Sequence, residues 1–410
     1  MNRLHWVLLT LLIGALIVGA ETLLAAGKPA KPATASVETV VEGNIRFALR
    51  MHQEFSSKEG NLCFSPYSIS SALGMTYAGA RNQTEKEMRE ALCFPNQHED
   101  FFRFYGELQE ALLAGEKTED IELNIANAIW VEKSHRFLRN YLRLVKKEYK
   151  SSVSLADFMG NADAERERIN SWVEEQTRDK IKNLVPPGAV SELTRMVLVN
   201  AIYFKGDWAR QFKEKYTRER AFYVSAAESV DVEMMRQTET FRWSEDADTE
   251  ALELPYEGNQ LSMLVLLPKE RNGIHVLEQS LTVAKLNGLI STLREKKIEV
   301  TLPKFKVGKS YELSAAFKNL GMQDAFAHGA DFSGMDGTRN LHISAILHKA
   351  FVEVDEQGTE AAAATAVVAV VRAELIPPRF NADHPFLFLI RDNATGSILF
   401  MGRVVNPTQE

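Results

Sequence analysis

A segment of about thirty residues near the carboxyl end is the feature that most limits how this chain can fold. One predicted strand ends near Asp355 and the next begins at Phe386, and connections of this length are usually functional or disordered. The odd positions from 359 to 371 carry only small or β-branched side chains: Thr359, Ala361, Ala363, Thr365, Val367, Ala369 and Val371. Because side chains alternate between the two faces of a strand, the pattern predicts a strand that can enter a sheet.

The same segment also has helical character. Four successive alanines, Ala361 to Ala364, favour a helix, with Glu360 in its first turn. A helical resting state and later insertion as a strand are compatible, so both remain open. No proline occurs between Glu356 and Ile376, so every N–H in that stretch is available to a sheet ladder.

Apolar spacing along the rest of the chain predicts an α+β domain, because helices dominate the first half and strands the second. The helical predictions are residues 38 to 56, a helix opened by a capping box of Thr84 and Glu87, and a helix marked by Ile169, Trp172, Val173, Ile181 and Leu184. The strand predictions are residues 196 to 204, 261 to 267 and 298 to 302, with a hairpin of 386 to 390 and 398 to 401.

The amino terminus has the pattern of an export signal. Arg3 precedes an apolar run from Val7 to Ala20, which is shorter than the ~20 residues of a membrane-spanning helix. We therefore predict a signal peptide over residues 1–20, a flexible tail over 21–36 and a single domain over 37–410. The protein is expected outside the cytoplasm, secreted or periplasmic, with an uncleaved membrane anchor as the alternative.

Charge and motifs exclude several functions. The chain has 48 basic and 55 acidic residues, a net charge of −7, and no long basic stretch, so nucleic acid is not an expected partner. Neither a zinc-protease motif, a nucleophile elbow nor a phosphate-binding glycine loop occurs, so we expect no enzyme, metal or cofactor. Cys63 and Cys93 lie among apolar neighbours, which favours buried thiols, with a single disulfide as the alternative.

Several blocks of sequence resemble the serpins, the serine protease inhibitor superfamily. They are Asn61 to Ser68, Asn200 to Trp208, Ala330 to Met335, His348 to Ala350, Glu356 to Ala364, Asp383 to Phe386 and Gly402 to Pro407. The resemblance covers about residues 40 to 407. It implies a monomer of about nine helices and three β-sheets, with a reactive-centre loop at about 356–380.

The resemblance also implies a partner and a mechanism. A target protease cleaves the loop, which then inserts into the main sheet and traps the acyl-enzyme. In the family layout the scissile residue lies fourteen positions after the hinge glycine, and fourteen after Gly358 is Arg372. Cleavage between Arg372 and Ala373 suits a trypsin-like protease. The alternatives are cleavage within Val367 to Val371 by elastase-like or subtilisin-like enzymes, an Arg-specific cysteine protease as target, and a non-inhibitory carrier or chaperone.

Three groups of residues follow from the resemblance. The hinge comprises Glu356, Gly358, Thr359, Ala361 and Ala363. A polar group under the opening of the main sheet comprises Ser65, Ser68, Asn200 and His348. The upper opening comprises Trp208, Lys304 and Glu356, where an ion pair is expected to hold the entry point of the loop closed.

Overall fold

A computed structural model describes residues 36–96, 98–114, 121–151, 153–357 and 377–409. Ten α-helices lie within these ranges: α1 Val37–Ser56, α2 Pro66–Tyr77, α3 Asn82–Ala91, α4 His98–Ala114, α5 Arg139–Glu148, α6 Phe158–Gln176, α7 Ile274–Ser280, α8 Val283–Thr292, α9 Ser314–Asn319 and α10 Ser333–Asp336. The first helix begins where the sequence predicts, because Ser36 and Thr39 form a reciprocal capping box at its amino end.

Fourteen strands lie within the same ranges: β1 Leu62–Phe64, β2 Ile121–Glu132, β3 Val153–Ala156, β4 Met196–Gly206, β5 Arg218–Tyr223, β6 Ser229–Glu245, β7 Thr249–Pro255, β8 Leu261–Pro268, β9 Arg294–Pro303, β10 Phe305–Glu312, β11 Ala345–Val354, β12 Arg379–Asn381, β13 Phe386–Asp392 and β14 Ile398–Val404. The predicted strands and the carboxyl-terminal hairpin are confirmed, as is the α+β class.

The five-stranded sheet has the order β10-β11-β4-β2-β3. Its central strand β4 is covered on both faces. Leu198 and Ile202 enter the main core, whereas Val199 and Ala201 enter a second cluster. That second cluster includes Ile169 and other buried residues of α6. An uninterrupted apolar run is therefore required at β4, because neither face meets water.

The nine-stranded sheet has the path β1-β14-β13-β8-β7-β6-β9-β12, and β5 pairs with β6 beside that path. The described strands thus form two hydrogen-bonded sheets, where the resemblance implies three. The physical reason is the 17-residue strand β6. It pairs with β9 from Met234 to Trp243 and with β7 from Arg242 to Glu245, so its ladders are continuous from one half of the sheet to the other.

The predicted capping box at Thr84 is wrong. Helix α3 begins two residues earlier, at Asn82, and Thr84 is buried inside it. The Thr84 hydroxyl donates to Asp324 and accepts from the backbone N–H of Asp331, 2.8 Å away. Glu87 accepts two further backbone N–H groups from residues 323 and 324, at 2.8 and 2.7 Å. These side chains hold a distant loop against α3 rather than closing their own helix.

The third predicted helix extends less far than expected. Helix α6 ends at Gln176, and Arg178 and Asp179 follow with left-handed φ values of 48° and 61°. Ile181 and Leu184 therefore lie in the next loop, although both remain buried against the α6 cluster. The apolar residues that suggested one long helix share a buried cluster, but they do not belong to a single helix.

Both cysteines are free thiols. Cys63 is buried, and burial raises the pKa of its thiol far above the ordinary value. Cys93 is only partly buried, and the Arg50 guanidinium lies 3.5 Å from its sulfur. Within the ranges that the structure describes, no helix is both long and apolar enough to cross a bilayer.

Candidate functional site

The central pair of the five-stranded sheet is parallel, which distinguishes it from the pairs on either side. Strands β4 and β11 are direct neighbours, in register from Val197 opposite Ala345 to Phe204 opposite Val352. Their outer neighbours β2 and β10 are both antiparallel to them. A segment that left β11 at its carboxyl end and turned back between the two strands would be antiparallel to both. Such insertion replaces one parallel ladder with two antiparallel ladders, which are slightly more stable per residue.

Glu356 is fixed at the point where the chain leaves β11. We refer to Asp355, Glu356 and Gln357 as the loop root. The Glu356 carboxylate accepts from the Thr217 hydroxyl at 2.7 Å and lies 3.2 Å from Nζ of Lys304. Its carbonyl accepts from the N–H of Phe212 at 3.0 Å. Both the main chain and the side chain of Glu356 are therefore fixed by hydrogen bonds and an ion pair at the end of β11.

The charges at the loop root are stabilised mutually. Burial acts to raise the pKa of the Glu356 carboxyl, but the Thr217 hydroxyl and the Lys304 ammonium together hold it below its ordinary value. Burial likewise acts to lower the pKa of Lys304, but Glu233 and Glu356 raise it. Glu233 lies 3.1 Å from the same ammonium. The lysine therefore stays charged between two carboxylates near neutral pH.

Trp208 holds the preceding residue. Its indole N–H donates to the carbonyl of Asp355 at 2.9 Å, and its ring stacks on Tyr256 with centroids 4.6 Å apart. The Asp355 carboxylate lies 3.2 Å from Nζ of Lys205 and accepts from the N–H of Gln357 at 3.1 Å. The structure therefore brings the predicted residues Trp208, Lys304 and Glu356 to one place, beside a cleft of about 570 Å³.

A buried polar cluster lies below the middle of the β4–β11 pair. Asn200 of β4 and His348 of β11 are register partners, and Asn200 Oδ1 accepts from Nδ1 of His348. The other imidazole nitrogen accepts from the N–H of Ser65 at 3.0 Å. Ser65 in turn caps α2 by accepting from the N–H of Ser68 at 3.1 Å. All four predicted residues are in contact through one network.

Asn127 of β2 is a fifth member that the sequence did not reveal. Its Oδ1 accepts from the hydroxyl of Ser68 at 2.9 Å and from the amide of Asn200. Asn127 is the register partner of Asn200 across the β2–β4 pair. An apolar run flanked Asn200 and made it conspicuous, but Asn127 lies in an alternating strand, where a polar residue is ordinary. We call these five residues, Ser65, Ser68, Asn127, Asn200 and His348, the polar cluster.

The imidazole of His348 is neutral at physiological pH. Burial lowers its pKa to about 3, and a hydrogen bond with Asn200 opposes this only partly. A neutral ring can donate from Nδ1 and accept at Nε2, which satisfies both partners. The cluster is a hydrogen-bonded link between β2, β4, β11 and α2.

The far end of the loop returns to the nine-stranded sheet. Strand β12 pairs in parallel with β9, from Arg379 opposite Glu299 to Asn381 opposite Thr301. Phe380 is fully buried. The remaining predicted residues, Gly358, Thr359, Ala361, Ala363, Arg372 and Ala373, lie outside the described residues.

Comparison with known proteins identifies the same family that the sequence blocks resemble. The family described as Serpin (serine protease inhibitor) matches residues 42–407. Human Serpin B3 is 42% identical over 396 residues, covering 90% of this chain and 100% of its own. Leukocyte elastase inhibitor of Xenopus tropicalis is 42% identical over 358 residues, 85% of this chain and 93% of its own. The crystal structure of uncleaved ovalbumin, at 34% identity, matches with a TM-score of 0.82 over 91% of this chain and 100% of that one.

The chain therefore belongs to the serpin family. That family consists of protease inhibitors rather than enzymes, and the predictions of fold class and of an inhibitor in place of an enzyme are confirmed.

Proposed function

We propose that this protein is an exported suicide inhibitor of trypsin-like serine proteases, cleaved between Arg372 and Ala373. The protease serine attacks the carbonyl carbon of Arg372. The bond to Ala373 breaks, the new amine leaves with a proton from the general acid of the protease, and an ester joins Arg372 to the enzyme. Residues 359 to 371 then enter the sheet before water hydrolyses that ester.

The single observation that carries the proposal is the direct parallel pairing of β4 and β11. Strand β4 spans 11 residues and β11 spans 10, so each is long enough to pair with most of the predicted strand 359–371. Because residues at the loop root already leave the end of β11, the inserting segment needs only to reverse direction. The uncleaved chain cannot insert fully while its other end is paired as β12.

The bond assignment is supported by charge. Arg372 is the only basic residue between Lys349 and Arg379. A guanidinium pairs strongly with a carboxylate in a specificity pocket that excludes water. Arg379 itself is an unsuitable scissile residue, because it is already paired within β12 and lies 3.3 Å from Glu299.

Incubation with trypsin tests the proposal. We expect a complex that survives boiling in SDS, with loss of trypsin activity, and a separate peptide of residues 373 to 410 in the denatured sample, because acylation has already broken the bond between Arg372 and Ala373. The variant Arg372→Ala should lose this complex, whereas the matched control Arg379→Ala should keep it. Cleavage of the loop without loss of trypsin activity would instead support a non-inhibitory carrier or chaperone.

The name of one relative, leukocyte elastase inhibitor, favours a second candidate target. Valines at 367, 368, 370 and 371 suit an elastase-like pocket, as an alternative reading of the same loop. Mass spectrometry of the peptide released by each protease distinguishes the two. A peptide that begins at or before Arg372 supports the elastase-like target, and one that begins at Ala373 supports the trypsin-like target.

Export is part of the proposal. It is supported by the charged start, the short apolar run and the small residues at 18 to 20. Amino-terminal sequencing of protein recovered from the medium or periplasm should find residue 21 first. Recovery of the intact chain in the membrane fraction would support the alternative of an uncleaved anchor, and recovery of the intact chain in the cytosol would contradict export.

A further inference from the structure

A cleft of about 570 Å³ on the nine-stranded sheet carries an excess of positive charge. It lies over β5 and β6. Its charged lining residues are Lys213, Arg218, Arg220, Arg236 and Glu239. We call this site the basic cleft. Arg236 is ion-paired with Glu299 of β9, so three further cations, Lys213, Arg218 and Arg220, remain against one carboxylate, in a chain whose net charge is −7.

Strand alternation produces this local excess. On β5 the order Arg218, Glu219, Arg220 puts both arginines on one face and the glutamate on the other. Glu219 is the register partner of Glu233, whose carboxylate is bound by Lys304. Glu219 and Glu233 are therefore directed away from the basic cleft, and Glu239 of β6 is the one carboxylate of the two strands that lines it.

The basic cleft lies on the same sheet as β12, the strand that follows the reactive-centre loop. The order of strands is β12, β9, β6, β5, so neighbours about 4.8 Å apart separate β5 from β12 by roughly 14 Å across the sheet. The two strands are also offset along the sheet, because β5 pairs with residues 229 to 234 of β6, whereas the β12–β9 ladder lies opposite residues 236 to 238. Glu299 of β9 bridges Arg379 of β12, at 3.3 Å, and Arg236 of β6. Residues paired across neighbouring strands share a face of the sheet, so the side chain of Arg379 and the basic cleft lie on the same face.

A protease bound to the loop comes within reach of this surface. Arg372 precedes Arg379 by seven residues, at most about 25 Å of extended chain. A globular protease domain of about 230 residues has a radius of gyration near 17 Å and is therefore about 40 Å across. A body of that size, held at Arg372, extends over the neighbouring strands.

We propose that the basic cleft is a second docking surface, which binds an acidic surface of the target protease while the loop occupies its active site. This inference rests on the proposed inhibitory function. Opposite charges across an interface raise the association rate more than the final affinity. The cleft therefore selects, among proteases that cleave after arginine, those that are acidic beside the active site.

The test is the second-order rate of inhibition of anionic and cationic trypsin, which share a specificity for arginine and differ in surface charge. The double variant R218E/R220E should inhibit anionic trypsin at least five-fold more slowly than wild type at about 0.01 M salt, where the Debye length is about 30 Å. The difference should disappear near 1 M salt, where that length is about 3 Å. Cationic trypsin should not be inhibited more slowly.

The matched control is R139E/R143E, which makes the same change in net charge on exposed arginines of α5. It should slow anionic trypsin less than two-fold. Equal slowing by both double variants would overturn the proposal, because the effect would then come from net charge. Retention on heparin that R218E/R220E abolishes, with protease rates unchanged, would assign the cleft to a polyanion and also overturn it.

The two proposals fail differently. If neither trypsin forms an SDS-stable complex with wild type, the proposed function is wrong. If both form complexes and R218E/R220E inhibits anionic trypsin at the wild-type rate, only the docking surface is wrong. Should charge reversal prevent folding, R218Q/R220Q removes the same charges with less repulsion and is expected to slow anionic trypsin about two- to three-fold at low salt.

Discussion

Nζ of Lys304 lies 3.2 Å from the carboxylate of Glu356, so the corner between β9 and β10 is joined to the first turn of the reactive-centre loop. Glu356 is nearly fully buried, whereas the Lys304 side chain is 32% exposed. A contact with one partner buried and the other accessible can be broken at moderate cost. It therefore suits a closure that must hold until cleavage and then release.

Replacing Glu356 with Gln should loosen this closure. The amide keeps the shape but loses the charge-assisted bond to Lys304, a cost of about 1 to 3 kcal/mol. We expect a lower thermal transition and faster uptake of a synthetic peptide of residues 359–371. The control Arg46→Met removes an exposed ion pair of 3.1 Å and should change neither. Unchanged peptide uptake in Glu356→Gln would show that the contact does not gate the sheet.

The same carboxylate predicts a pH dependence with a definite sign. Its pKa is lowered in the folded protein, so its contribution to stability is present above the unfolded value near 4.5 and lost as pH falls further. Peptide uptake by wild type should therefore rise as the pH falls below about 4.5. Glu356→Gln should show a smaller rise, and an equal rise would place the titrating group elsewhere.

His348 predicts a loss of stability at a higher pH. Its folded pKa of about 3 lies below the unfolded value near 6.5, so stability is complete above 6.5 and declines as pH falls towards 3. Relative to pH 7.5, the expected loss at pH 5 is about 2 kcal/mol. Guanidinium unfolding of wild type and His348→Gln at both pH values measures it. Burial also lowers the pKa of His342, so a smaller loss of stability at pH 5 should remain in both proteins. An equal loss in both would contradict the assignment.

Asn127→Ala should destabilise the closed sheet, because it removes the acceptor of the Ser68 hydroxyl and one of the two acceptors of the Asn200 amide. The expected cost is about 1 to 3 kcal/mol in thermal or denaturant unfolding. Asn124→Ala, in the same strand, is the matched control, since the Asn124 amide donates only locally, to Glu122 at 2.9 Å. If both variants lose the same stability, the polar cluster has no special part in holding the strands together.

Much of this architecture was predictable because it depends on local pattern. The uninterrupted apolar run at β4 predicts a strand that is buried on both faces. The alternation of apolar and polar residues at β9 predicts a strand that is buried on one face. The polar residues Asn200 and His348 were also visible, because each interrupts an apolar run.

What the sequence did not reveal depends on contacts between distant segments. Thr84 and Glu87 fit a capping box in sequence, yet their partners lie about 240 residues away, in the loop at 323 to 331. The end of α6 is set by left-handed backbone at Arg178 and Asp179, which neither residue type signals. Asn127 joins the polar cluster only because β2 pairs with β4 in this register.

Alternation in the loop gives a prediction with a built-in control. Thr359→Arg puts a charge on the face that must be buried, so insertion should slow and the protease should escape after cleavage. Glu360→Arg changes the neighbouring position, which strand alternation predicts on the opposite face and which is already charged. The stoichiometry of trypsin inhibition should rise sharply for the first variant and stay unchanged for the second. Equal values would contradict the strand register.

The thermal transition of the chain before and after cleavage at Arg372 tests the central claim most directly. In the intact protein β4 and β11 pair without an intervening strand, and cleavage should let residues 359 to 371 form ladders with both. The account predicts that trypsin-nicked protein, purified free of protease, melts well above the intact protein. A nicked protein that melts at or below the intact temperature would contradict insertion and the mechanism built on it.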